Sequence, residues 1–77
     1  MSKKYISKEV FDEINIGDSL EIRYMRGSAR VVSKPYANNI IIDGNPLITQ
    51  VIKVKFEEGP WMNKILTVIR SQVKKIN

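Results

Sequence analysis

The stretch Ser19-Leu20-Glu21-Ile22-Arg23-Tyr24-Met25-Arg26-Gly27-Ser28-Ala29-Arg30-Val31-Val32-Ser33-Lys34 decides how the chain folds. Leu20, Ile22 and Tyr24 fall on one side of an extended chain, and Glu21 and Arg23 fall on the other. This two-residue period marks a half-buried strand. Gly27-Ser28 suits a two-residue type II′ turn, with glycine at the central position that needs a positive φ. Pairing across that turn sets Tyr24 against Val31, Ile22 against Ser33 and Glu21 against Lys34. Apolar then meets apolar or small, and acid meets base, which is the agreement a strand register requires.

Working outward, Ser7 can cap a short helix over residues 8–14, with Glu9 in the first turn where the helix dipole favours a carboxylate. Val10, Phe11 and Ile14 share one face. Two turns of helix are not stable alone, so that face must pack on the rest of the protein. Gly17-Asp18 ends the element.

Beyond the hairpin, Lys34-Pro35-Tyr36-Ala37-Asn38 interrupts the ladder because proline removes a donor. Residues 39–43 form a short apolar strand around Ile40, Ile41 and Ile42, and Asp43-Gly44-Asn45-Pro46 is a turn. Residues 47–57 form a long strand with Ile52, Val54 and Phe56 inward and Lys53, Lys55 and Glu57 outward. Glu58-Gly59-Pro60 turns the chain into a strand over residues 61–70, and Val73 and Ile76 end it. The expectation is a mainly β, single-domain chain over residues 1–77, with a helix at about 8–14 and a five-stranded body at about 18–77. A sheet this short and strongly turned closes into a small barrel or packs as two orthogonal layers.

Two segments carry a resemblance. Asn15-Ile16-Gly17-Asp18-Ser19-Leu20-Glu21-Ile22 resembles the opening of SH3-like barrels, including KOW-type ones. Thr67-Val68-Ile69-Arg70-Ser71-Gln72-Val73-Lys74-Lys75-Ile76 resembles their closing element, a strand running into one 3₁₀ turn and a short last strand. The resemblance implies a small five-stranded SH3-like barrel with a short N-terminal helix. Ile69 stands where the SH3 signature usually has proline, and the partner-binding aromatics are unmatched, so recognition of proline motifs is not implied. Sm-like barrels share the helix and five strands, but their RNA-binding motif is not visible here. A shared fold informs architecture and not function.

Composition narrows the chemistry. The chain has 77 residues, no cysteine and no histidine. Disulfides, thiolate chemistry, imidazole acid–base catalysis and the usual zinc and haem ligands are therefore excluded, and neither a metal nor a cofactor is expected. Adjacent carboxylates such as Glu57 and Glu58 point to opposite faces of a strand, which suits no acid–base pair. The four glycines each read as a single turn, so no phosphate-cradling loop is present. These absences argue against an enzyme. No apolar run reaches the ~20 residues of a membrane span and no signal peptide is evident, which makes the cytoplasm the expected compartment. Abundant Ile, Lys and Asn fit an AT-rich genome, such as that of a low-GC bacterium or its phage.

The net charge is +5, with Glu9, Asp12, Glu13, Asp18 and Glu21 gathered near the N-terminus and a mostly basic body after them. That balance suits a polyanion and also simple solubility. Two partner classes stay open. For nucleic acid, the candidate residues are Arg23, Arg30 and Lys34 on one face of the hairpin, Arg26 beside its turn, and Lys53 and Lys55 on the long strand. Tyr36 and Trp61 at strand edges are placed to stack on bases. For a protein partner, Met25 and Val32 form an outward patch to which Ile41 and Val51 add. That reading makes the chain a small adaptor, or an inhibitor that docks on a larger enzyme. A membrane-binding helix is not expected, because the helix is short and acidic.

Overall fold

The computed structural model describes residues 6–77, and Lys3 and Lys4 of the basic N-terminus lie outside the described residues. Ser7 caps α1 (Lys8–Asp12), its Oγ accepting the Val10 N–H at 3.1 Å. The helix is shorter than 8–14, because the Glu13 N–H already bonds both Glu9 and Val10 carbonyls as the last turn tightens. Phe11 and Ile14 are buried, whereas Val10 is 42% exposed. The docking face is thus a pair at i, i+3 spacing, without Val10.

Among the described residues the sheet has six strands rather than five: β1 (Ser19–Ile22), β2 (Ser28–Val31), β3 (Tyr36–Ile42), β4 (Asn45–Phe56), β5 (Ile65–Ile69) and β6 (Val73–Ile76). β4 is its spine. Val54 pairs with Val31 and with Leu66, and Val51 pairs with Tyr36 and with Ile69. β2 and β3 therefore lie along one edge of β4, with β5 on the other. Between β2 and β3 the ladder is patched rather than lost. The Val32 N–H donates to the Lys53 carbonyl at 2.9 Å, and the Ser33 hydroxyl accepts the Lys53 N–H at 3.0 Å. A side chain thus satisfies the donor that the irregular backbone before Pro35 leaves open.

The β1–β2 connection differs from the expected two-residue turn. Leu20 pairs with Ala29 and Glu21 with Ser28, so Arg23 to Gly27 form a wider loop. The closing end of the chain draws Arg23 away. Its N–H donates to the Gln72 carbonyl at 2.8 Å and its Nε to the Ser71 carbonyl at 3.1 Å. Tyr24 then takes φ 65° and points outward, 93% exposed, where alternation places it inside. The inward residues Leu20, Ile22 and Val31 keep their side, because the register moves by an even number of residues. Gly27, at φ 90°, lies against the turn after β4, and a Cβ there would run into the Glu58 carbonyl. Only glycine fits.

β5 begins at Ile65 and not at Trp61, because residues 60–63 wrap into the turn. The Met62 N–H donates to the Gly59 carbonyl, the Lys64 N–H to the Trp61 carbonyl, and Asn63 adopts φ 69°. After β5, a 3₁₀ turn at Arg70–Gln72 swings the chain so that β6 pairs with β1. This is the strand, 3₁₀ turn and last strand that the resemblance implies.

The result is a mainly β half-barrel, curled around one core and closed against one short helix. Leu20, Ile22, Ala29, Val31, Ile52, Val54, Phe56, Val68 and Val73 line the inside, and Phe11 and Ile14 dock onto them. Each large member contributes roughly 1.5–3 kcal/mol by leaving water. Asp43 and Gly44, both at positive φ, make the two-residue turn that joins β3 to β4. The far half of this hairpin projects as an arm that leaves Ile41 76% and Ile48 71% exposed. Among the described residues, no helix is long and apolar enough to cross a membrane.

Candidate functional site

Directly opposite residues of paired strands share a face, so the register places the outward side chains. One row across the sheet reads Ser19, Arg30, Lys55, Ile65 over β1, β2, β4 and β5. In the neighbouring row Lys53 lies opposite Thr67, with Val32 beside it through the Val32–Lys53 backbone bond. Lys53 and Lys55 stand two residues apart on β4, about 6.7 Å along the strand. Both are exposed, and neither ammonium group makes a hydrogen bond or ion pair among the described residues. Ile65 is 58% and Val32 40% exposed, so aliphatic surface flanks the two ammonium groups.

Arg30 belongs to this face but is already engaged. Its Nε donates to Glu57 Oε2 at 2.7 Å and its Nη1 to the Gly17 carbonyl at 2.7 Å. The hydrogen bond from Arg30 holds the Glu57 carboxyl below the usual carboxylate range, with the charges of Arg30 and Lys55 acting in the same direction against slight burial. The same hydrogen bond, ahead of the Glu57 charge, raises the Arg30 guanidinium.

The other candidates scatter. Arg23 turns away from the face to the 3₁₀ turn. Lys34 reaches Asn15 Oδ1 at 3.4 Å. Arg26 is exposed in the β1–β2 loop, whose backbone touches the Glu58-Gly59 turn. Trp61 sits in that turn, 40% exposed, rather than at a strand edge. Tyr36 is half-buried directly opposite Val51. Of the protein-interface set, Val32 and Ile41 are exposed. Val51 is fully buried, and Met25, which lies in the wide loop outside the β1–β2 ladder, packs against the core. Those two residues form no outward patch.

Beside the outer face, and sharing Glu21 and Ser28 with it, lies a cleft of about 660 Å³. Tyr24, Arg26, Lys74 and Asn77 line it together with Glu58, which accepts both the Ser28 N–H at 3.2 Å and the Ser28 hydroxyl at 3.0 Å. Sequence periodicity does not expose this site. It marks Tyr24 as core and places Lys74 far from the hairpin, and only the β6–β1 pairing brings them together. Ile48 is likewise hidden in an apolar run that reads as interior.

Fold and surface together define a small half-barrel that carries lysines on the convex side of its sheet. No family model, curated protein or solved structure matches the chain.

Proposed function

We propose that this chain is a non-enzymatic binding module that holds a strand of nucleic acid across the outer face of its sheet. The observation that carries this reading is the placement of Lys53 and Lys55 side by side on β4, unpaired among the described residues, with Ile65 on one flank and Val32 on the other. Ammonium groups attract phosphates and release their counterions. The aliphatic side chains beside them offer apolar surface on which bases can lie without their edges being read, which favours single strands over a specified duplex sequence. Arg30 adds positive potential but has committed two of its donors to Glu57 and Gly17, so its share in binding is smaller.

The test is fluorescence anisotropy of labelled single-stranded DNA, RNA and duplex across a salt series. Saturable binding to single strands, weakened steeply by salt and by Lys53→Glu with Lys55→Glu, is the expected outcome. Binding that ignores both substitutions removes this face from consideration.

A second reading has its own observation. Ile41 and Ile48 are exposed at 76% and 71% on an arm whose only charged side chain is Asp43. Apolar surface of this kind suits a protein partner. Under that reading Ile41→Asp and Ile48→Asp abolish the interaction, salt matters little, and the lysine substitutions are silent.

A further inference from the structure

We propose that the Tyr24 cleft is a nucleotide-binding site, in which the Tyr24 ring stacks on a base while Arg26 and Lys74 hold its phosphate. The inference rests on the nucleic-acid reading above and locates within it one unstacked nucleotide.

Tyr24 is held in place from both sides. Arg23 is fastened to the 3₁₀ turn through Gln72 and Ser71, and Met25 is packed against the core. Between these anchors Tyr24 takes φ 65°, a conformation that bulky side chains rarely adopt. Asparagine or glycine would suit the turn better, and the core has no use for a ring that is 93% exposed. Neither packing nor turn geometry calls for an aromatic residue here. Strained residues held by their surroundings concentrate at functional sites.

Two carboxylates share the cleft with two cations. One Glu58 oxygen is oriented by two donors from Ser28, and Glu21 lies directly opposite Lys75 in the β1–β6 ladder. Arg26 and Lys74 make no hydrogen bond or ion pair among the described residues. A cleft with an exposed aromatic face and two uncommitted cations matches a ring that bears a phosphate. The Asn77 Nδ2 already donates to Ser19 Oγ at 3.2 Å, so the second oxygen of Glu58 and the Asn77 Oδ1 remain to accept from amino or hydroxyl groups.

The test is an amide-proton NMR titration of the full chain with three probes: a short single-stranded oligonucleotide, a nucleoside monophosphate and inorganic phosphate. The expected result is that resonances of residues 24–28, Lys74 and Asn77 move with the oligonucleotide and the monophosphate and much less with phosphate. Tyr24→Asn should lower oligonucleotide affinity about tenfold, as loss of one stacked base does. It should also raise the melting temperature by a few degrees through relief of the left-handed strain. Tyr24→Phe should keep the affinity. Oligonucleotide shifts confined to the Lys53 and Lys55 face, with Tyr24→Asn binding normally, overturn the cleft and leave the outer-face reading standing. Cleft shifts with the monophosphate but no oligonucleotide binding at the lysines overturn the outer face and support the cleft. Equal shifts with phosphate alone, or none with any probe, overturn the cleft.

Discussion

Arg30 and Glu57 form a 2.7 Å ion pair across β2 and the end of β4, and the same guanidinium reaches back to the Gly17 carbonyl ahead of β1. Three separate chain segments are tied through one side chain. The planar fork of arginine supplies the two divergent donors, which lysine cannot copy.

This pair sets a pH dependence. The Glu57 carboxyl titrates lower in the folded chain than in the unfolded one, because it accepts the hydrogen bond from Arg30. Its contribution is therefore complete above the unfolded value and is lost as pH falls through the folded value. Denaturant unfolding between about pH 7 and pH 2.5 should show wild type losing stability more steeply than Glu57→Gln. The difference is small, since both groups are solvent-exposed. Parallel curves would show that the pair contributes nothing.

Gly27→Ala should destabilise the fold by about 2–3 kcal/mol, from a strained positive φ and from crowding against the Glu58 carbonyl. Gly44→Ala, at φ 80° in open space, meets only the backbone penalty of about 1–2 kcal/mol. Chemical denaturation of both variants separates close approach from conformation. Equal losses would mean that the contact between the two loops gives way freely.

Phe11→Ala should lose about 3–5 kcal/mol, because the ring is 1% exposed and a cavity would open beneath the helix. Val10→Ala, on the same helix at 42% exposure, should stay within about 0.5 kcal/mol. If the two variants behaved alike, the helix would not dock through Phe11.

Neutralising the outer face should change the salt dependence of single-strand binding. Each phosphate contact contributes roughly 0.7 to the slope of log affinity against log salt, so Lys53→Gln with Lys55→Gln should flatten it by about 1.4. An unchanged slope with weaker binding would assign the loss to something other than phosphate contacts.

The residues themselves determined much of the architecture. Alternation along Leu20-Glu21-Ile22 and along Ile52 to Glu57 settles which side chains face the core, since a strand has no other way to bury every second residue. Ser7 marks the helix start, Asp43-Gly44 the tight hairpin and residues 67–76 the closing corner, each through local backbone chemistry. Tertiary structure decided what local rules cannot reach. Tyr24 alternates with the core residues, yet it is pushed outward because Gln72 and Ser71, far along the chain, capture Arg23. Val51 reads as surface but is buried between Tyr36 and Ile69, its two cross-strand neighbours. Arg30 reads as a free cation but spends its donors on Glu57 and Gly17. A side chain's face follows from its neighbours in sequence, whereas its partners depend on which distant strands the folded sheet brings alongside.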